Sequence, residues 1–460
     1  MTDVRQLTRF ERFLTLFTKV QSGDGRCIGL LGLQAFTLML AYYLIRPVRE
    51  ALILTEGTAE LRSYAVGVQA LLLILIIPAY GILVRRVASN RVFQFVIAFF
   101  ALNLVAFFLL GKSGLRFSFT FFVWASIFAV MAVAQFWAFA TDLLDVKCGT
   151  RLFGVIAVGV SGGAWVGANL ASAGFEMIGP YGLMLASAAV LCGSIYVSER
   201  ARRHIPIVPR SPQPDAVHAT EAEKISAARW LGGLAVISGS RYLIGIAGLV
   251  VLVNWINSTG DFVLSSWLTE IASQQAPEAR AAFIGKIMGK YYSMITLVGF
   301  LVQLLLVSRI ISLAGIARAL MVTPIAFVAG YFVIGIVPVF ALLQSVLVVQ
   351  KSLDYSLLNT TRSALLLPTS RDEKYQGKTA IDTLFFRMGD LLSTLTVFVG
   401  LRILDDARLQ FVWLMVILGA TMTLVAWLIG REYSRRYGTK RQSSRSDELL
   451  VGDRSAVLAQ

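Results

Sequence analysis

Apolar residues fill twelve stretches of this chain, and polar residues collect in the segments between them. A helix needs ~20 mostly apolar residues to cross the hydrocarbon core of a bilayer, and each stretch has about that length. The pattern therefore predicts an all-α membrane protein with twelve transmembrane helices. The predicted spans are residues 27–45, 64–84, 92–110, 118–141, 152–172, 180–197, 242–268, 285–307, 319–336, 339–358, 379–400 and 409–430.

One polar segment divides these spans six and six. It contains four prolines and many charges without apolar periodicity, which is typical of a linker. Two six-helix bundles joined in this way describe the major facilitator architecture. The predicted divisions are a cytoplasmic amphipathic segment at 1–26, a first bundle at 27–197, a cytoplasmic linker at 198–229, a second bundle at 230–430 and a basic cytoplasmic tail at 431–460. We expect the polar tail to be disordered beyond about Gly438.

Basic residues are distributed unevenly among the segments between the spans. Residues 1–26 contain five Lys or Arg and residues 431–460 contain seven, whereas the predicted outer loop at 173–179 contains none. Cytoplasmic segments of membrane proteins carry such an excess, so both termini are predicted to be cytoplasmic. The net charge of +15 is then explained by the basic residues of the cytoplasmic segments. It favours anionic phospholipids as partners, and not nucleic acid.

The composition excludes several classes of protein. With 57% hydrophobic and 15% charged residues, the chain is too apolar for a soluble enzyme. Its three cysteines and two histidines are too few for a disulfide framework or a His-rich metal centre. The Gly-Lys pairs at Gly111 and Gly377 lack the upstream glycine of a phosphate-binding loop. We therefore expect no enzymatic activity, no metal and no cofactor.

Charged residues inside the apolar stretches are the candidates for function, because a charge in the membrane is costly and is usually paired or functional. The first span is followed by the segment Arg46–Glu50, with the sequence RPVRE. Arg46 and Arg49 are three residues apart and share a helix face. They are either snorkelling arginines at a span end or functional charges inside one long helix over 27–54. Apolar sequence resumes after Glu50, which favours the second alternative.

Further polar residues lie in the seventh, tenth and eleventh spans. The candidates are Asn257 and Asp261, Lys351 and Asp354, and Arg387 and Asp390. In the last two spans the acid follows the base by three residues, so each pair can neutralise itself on one helix face. Such pairs either lock helix packing or open and close as a carrier changes conformation. The polar residues of the seventh span form either a functional face or a solvated span end.

Several blocks of the chain resemble the ATP/ADP translocase family of plastids and intracellular bacteria, in particular its bacterial branch. The blocks are Tyr43–Leu54 (YLIRPVREALIL), Phe136–Asp142 (FWAFATD) with Arg151–Gly154 (RLFG), Asp354–Arg362 (DYSLLNTTR), Lys378–Asp382 (KTAID) and Arg387–Asp390 (RMGD). The resemblance implies a major-facilitator-like ATP/ADP antiporter of a bacterial inner membrane, in which basic residues of the spans hold the nucleotide phosphates.

The resemblance also implies individual roles. Arg49 stands where the family has a lysine, and Asp261 resembles the family's seventh-span acid. The chain departs from the family at two places. Residues 124–134 contain no acid, unlike the fourth span of the nucleotide exchangers, and Asp390 follows Gly389 where plant-type members have a Gly-Lys pair. An acid in place of a lysine weakens phosphate binding.

Three functions are compatible with these residues. The first is a secondary transporter that moves an anionic, nucleotide-like or phosphorylated solute by alternating access, with Arg46 and Arg49 on the anion. The other polar residues would line the path or form its gates. The second is a proton-coupled exporter of a lipid-like molecule, with Glu50 or Asp261 as proton carrier. The third is a membrane scaffold without transport.

Overall fold

The computed structural model describes residues 24–86, 92–143, 146–204, 232–370, 373–404 and 408–457. These residues form helices joined by short connections, and they contain no strand. The predicted amphipathic segment at 1–26, apart from its last three residues, lies outside the described residues, as does the linker from 205 onward.

Six long helices form the first part of the chain. They are α1 Asp24–Glu56, α2 Ala59–Arg86, α3 Val92–Lys112, α4 Ser118–Leu143, α5 Val146–Met177 and α6 Gly179–His204. α1 packs mainly against α5 and α6, and α3 packs against α6. α1 passes through Pro47 without ending, because the residues on both sides of the proline bury their side chains in the bundle. The segment Arg46–Glu50 therefore lies inside one long helix, as the resumed apolar sequence predicts.

The helices of the second part are interrupted by π-helical turns. The helices are α7 Arg241–Ser273, α8 Pro277–Leu301, α9 Val307–Ile336, α10 Phe340–Leu353, α11 Asn359–Leu365, α12 Lys378–Ala380, α13 Phe386–Ile403 and α14 Arg408–Val457. The π-helical turns are Val302–Leu306, Asp354–Leu358, Glu373–Gly377 and Ile381–Phe385. Such turns are rare and occur frequently at functional sites. The hydrophobic pattern did not predict them.

The contacts between helices divide the chain into two compact units. The first unit contains α1 to α6, the part of α7 from Phe262 onward and α8 up to Val298. The second unit contains α7 up to Asp261 and the helices from Gly299 onward. In the second unit α9 packs mainly against α14. These units group residues by contact, so the bundle boundaries drawn from the position of the linker stay a prediction.

Ten stretches of the described residues are long and apolar enough to cross a membrane. One of them, Pro277–Ile336, has 60 residues and contains the predicted eighth and ninth spans. Gly315 separates those two spans with φ 75° and ψ 165°, a conformation that glycine adopts without strain. The predicted tenth span lies on α10 and the π-helical turn after it. Phe95 and Leu102 of α3 are 76% and 69% exposed, as expected for side chains that face lipid.

A row of glycines allows α5 to approach α1 closely. A Cβ atom at Gly159, Gly163 or Gly167 would collide with a backbone carbonyl oxygen of α1. At Gly162, between them, a Cβ atom would meet only the ring of Phe36, at 3.7 Å. Small residues at this spacing bring two helices into backbone contact. The row is therefore a packing surface.

The C-terminal tail differs from its prediction. We expected disorder beyond about Gly438, whereas α14 continues as a helix to Val457. No proline follows Pro368 in the sequence, so nothing interrupts the hydrogen bonding of the helix once the apolar part of α14 has started it.

Candidate substrate site

Two arginines of the first unit share one buried carboxylate. Glu50 on α1 is fully buried. Arg62 on α2 donates from Nε to Oε2 of Glu50 at 2.6 Å and from Nη2 to Oε1 at 3.4 Å. Nη2 of Arg49 lies 3.2 Å from the same Oε1, and the hydroxyl of Tyr292 on α8 donates to it at 3.0 Å. The single negative charge of Glu50 thus forms ion pairs with the guanidinium groups of both Arg49 and Arg62.

A third arginine lies beside this pair among tyrosine rings. The guanidinium carbon of Arg46 is 4.1 Å from the centre of the Tyr292 ring and 5.2 Å from the centre of the Tyr43 ring. Its Nη1 donates to the Tyr43 hydroxyl at 2.9 Å. Cation–π contacts hold a guanidinium in place without occupying its N–H donors. We call Arg46, Arg49, Glu50 and Arg62 the arginine cluster.

Arg49 has a side-chain donor that the described residues leave unused. Its Nη1 donates to Oγ of Ser126 on α4 at 2.7 Å, and its guanidinium lies 4.6 Å from the centre of the Phe122 ring. Its Nε is buried without a hydrogen-bond partner among the described residues. The side chain is only 11% exposed. A guanidinium presents a planar fork of N–H donors, which matches the oxygens of a phosphate or a carboxylate.

A second set of charges lies in the second unit. Nζ of Lys351 on α10 lies 3.1 Å from Oδ2 of Asp261 on α7. Asn257, one turn before Asp261, donates from Nδ2 to Oδ2 of Asp354 at 2.8 Å. Lys351 therefore pairs with α7 and not with Asp354, the neighbour that its spacing suggested. A carboxylate on an adjacent helix has replaced the local partner.

The remaining charges of this set come from the segments after α10. Arg387 lies 3.2 Å from Asp390 within α13, as the spacing of the two residues predicts, and Ser258 on α7 donates to Asp390 at 2.6 Å. Asp390 is thus neutralised by a base of its own helix. Arg362 on α11 lies 3.3 Å from Asp382 in the last π-helical turn.

We call this set the acidic cluster. It consists of Asp261, Asp354, Asp382 and Asp390 with Lys351, Arg362 and Arg387. Close packing of α13 on α7 supports it, because a Cβ atom at Gly389 would meet the Val251 carbonyl oxygen at 2.6 Å. α13 therefore needs a glycine at this position to bring Arg387 and Asp390 up to α7.

The structure places every predicted site residue in or beside one of these clusters. Arg46, Arg49 and Glu50 belong to the arginine cluster, and Asn257, Asp261, Lys351, Asp354, Arg387 and Asp390 belong to or contact the acidic cluster. The roles assigned to them stay predictions. Sequence reasoning missed Arg62 and Tyr292, both of which bind Glu50. Arg62 carried a usable signal, since it is a base just before an apolar span, whereas a tyrosine within a span is unremarkable.

One family model matches the C-terminal part of the chain. Residues 327–435 match the sequence model of a family described as "TLC ATP/ADP transporter". The resemblance to ATP/ADP transporters is confirmed there. The matched region contains Lys351, Asp354 and Asp390, whereas the arginine cluster lies outside it. No curated protein matches the chain.

Several solved structures of transporters have the same fold. The nucleoside transporter NupG is 13% identical, with a TM-score of 0.62 over 88% of this chain and 98% of that chain. The POT family transporter PepTSo is 12% identical, with a TM-score of 0.60 over 90% and 98%. A bacterial homologue of the human lysosomal transporter Spinster is 12% identical, with a TM-score of 0.58 over 89% and 98%.

At such identities the likeness shows the fold, and it confirms the predicted all-α, major-facilitator-like architecture. Together with the ATP/ADP transporter match, it makes the protein a multi-pass membrane carrier and not an enzyme.

Proposed function

We propose that the protein is a secondary carrier that exchanges nucleotides or related phosphorylated anions across a bacterial inner membrane. The observation that carries the proposal is the arginine cluster, in which three guanidinium groups accompany one carboxylate inside membrane-spanning helices. The buried Nε of Arg49 has no hydrogen-bond partner among the described residues, and an anionic substrate would supply the acceptor. The ATP/ADP transporter match supports a nucleotide, and so does the fold shared with a protein described as a nucleoside transporter.

The same geometry argues against Glu50 as the proton carrier of an exporter. Its two carboxylate oxygens accept hydrogen bonds or ion pairs from Arg49, Arg62 and Tyr292. A carboxylate held by two bases keeps its charge in place and orients them. Asp261 is likewise held by Lys351. A proton-coupled exporter would therefore need an acid other than Glu50 or Asp261 as its proton carrier.

The decisive experiment is exchange by the purified carrier in liposomes. Vesicles loaded with ADP are expected to take up labelled ATP faster than empty vesicles, without an applied ion gradient. A thermal-shift panel complements the assay, because a ligand of the folded state raises its stability. Nucleotides are expected to raise the melting temperature, and nucleosides without phosphate are not. A carrier that neither binds nor exchanges any nucleotide would contradict the proposal.

Alternating access is the second part of the proposal, and contacts between α5 and α8 support it. The two helices belong to different predicted bundles. Asn169 donates to Ser293 at 2.6 Å, and Ser172 donates to the Lys286 carbonyl oxygen at 2.9 Å. Glu176 and Lys286 form an ion pair at 2.7 Å. A carrier whose bundles rock against each other would have to break these contacts in every cycle.

We therefore expect a cross-link between α5 and α8 to stop transport. In a variant without the native cysteines, Asn169→Cys with Ser293→Cys should lose exchange when a short thiol-specific cross-linker is added. Exchange should survive the same treatment in the control, Gln94→Cys with Glu199→Cys. That pair joins α3 to α6 within one predicted bundle through a 2.9 Å hydrogen bond. Undiminished exchange by the fully linked α5–α8 variant would contradict alternating access at this contact.

The orientation of the carrier completes the proposal. The excess of Lys and Arg in the predicted inner segments supports cytoplasmic termini. The same basic segments would lie against anionic phospholipid headgroups, which attract such residues at the membrane surface.

A further inference from the structure

One acid of the acidic cluster has no base in contact. The other three acids are paired: Asp261 with Lys351, Asp382 with Arg362 and Asp390 with Arg387. Asp354 forms no ion pair with any residue that the structure describes. Its side-chain hydrogen bond comes from Nδ2 of Asn257, at 2.8 Å. A carboxylate among membrane-spanning helices that lacks a contacting counter-ion is expected to have a function.

The side chain that holds Asp354 supplies a second, independent observation. Asn257 is only 8% exposed, and its Oδ1 is buried with no hydrogen-bond partner among the described residues. A buried carbonyl oxygen without a donor costs free energy, so a donor is expected at this position in some state of the protein. The amide lies against Asp354, and a proton on that carboxyl group would be such a donor.

We propose that Asp354 and Asn257 form a proton-binding site that couples substrate movement to a proton. As a carboxylate, Asp354 accepts the hydrogen bond from the amide nitrogen. As a carboxylic acid, it donates its O–H to the amide oxygen after the Asn257 amide has turned over. The proton is taken from water on one side of the membrane, forms an O–H bond with Asp354 and returns to water on the other side.

The surroundings of Asp354 and Asn257 are suited to a site that binds and releases a proton. Asp354 is the first residue of the π-helical turn Asp354–Leu358, and such turns recur at functional positions. The charges of Arg362 and Lys351 act on Asp354 from nearby, but Asp382 and Asp261 hold those two bases. Protonation of Asp354 therefore leaves the neighbouring ion pairs intact. The inference rests on the proposed carrier function, and not on the nucleotide as substrate.

A spectroscopic test needs no substrate. Infrared difference spectra of the purified wild-type protein between mildly alkaline and mildly acidic solution should contain the C=O band of a carboxylic acid. Asp354→Asn should lose this band, and Asp354→Glu should shift it. The control is Glu278→Gln, which removes an exposed acid at the start of α8 and should leave the band unchanged. A band that survives in Asp354→Asn would overturn the proposal.

A transport test addresses coupling. In wild-type proteoliposomes that exchange nucleotides, a pH gradient with the acidic side outside should accelerate net uptake into empty vesicles. Asp354→Asn should lose this acceleration, so that its net uptake with the gradient equals its net uptake without the gradient. If Asp354→Asn does not fold, Asn257→Ala serves in its place, with the same loss expected. If the gradient does not change net uptake by the wild-type protein, the proton site is overturned, whereas exchange in loaded vesicles would still support the proposed exchange function.

Discussion

Arg49→Ala is expected to weaken nucleotide exchange severely while the protein still inserts and folds. Glu50 keeps its bond to Arg62 at 2.6 Å in this variant, so no buried acid is left without a base. What is lost is the guanidinium with a buried, unused Nε donor. A hydrogen bond to a charged group contributes about 1.5–3 kcal/mol, and the loss of one such bond weakens apparent affinity by roughly one to two orders of magnitude. Arg49→Lys should restore part of the activity, because it keeps the charge without the fork.

The matched variant for this experiment is Arg62→Ala. It removes the 2.6 Å partner of a fully buried carboxylate and leaves Glu50 only Arg49, at 3.2 Å, so it should destabilise the fold more than Arg49→Ala does. The additional change Glu50→Gln should rescue its stability. Arg402→Ala, an exposed arginine on α13, serves as a neutral control. Normal exchange by Arg49→Ala would defeat the anion site at this residue. A melting temperature of Arg49→Ala that falls and is restored by Glu50→Gln would show that Arg49 is structural.

Gly163→Ala is expected to lower the stability of the protein severely. The added Cβ atom would press against the Phe36 carbonyl oxygen of α1, which is backbone and cannot turn aside. Overpacking of a core costs about 1–3 kcal/mol even where side chains can move, so we expect the upper end of that range or more. The measurements are the yield of membrane-inserted protein and its melting temperature in detergent.

Gly162→Ala is the control for the glycine row. It makes the same chemical change one residue away, where the Cβ atom meets only the Phe36 ring at 3.7 Å. Alanine is a better helix former than glycine by roughly 0.5–1 kcal/mol, so this variant should be as stable as the wild type or slightly more stable. Equal melting temperatures for the two variants would show that α5 does not need its close approach to α1.

The sequence by itself determined the helices and the places where they carry charge. A span is a local property, because its apolar length is matched to the membrane and its backbone hydrogen bonds close within the segment. The continuity of α1 through Arg46–Glu50, the pair of Arg387 with Asp390 and the glycine row of α5 were predictable for the same reason. Each depends on residues three or four positions apart in one helix.

Only the tertiary structure decided which charges meet between helices. Arg62 and Tyr292 reach Glu50 from α2 and α8, which no spacing within α1 could indicate. Lys351 forms an ion pair with Asp261 on α7 and not with Asp354, its neighbour along the helix. Asp354 instead accepts a hydrogen bond from Asn257. Periodicity defines the face on which a side chain lies, but not which helix lies opposite that face. Each buried charge forms an ion pair or a hydrogen bond with the groups that helix packing places within reach of it. The hydrophobic pattern alone does not determine that packing.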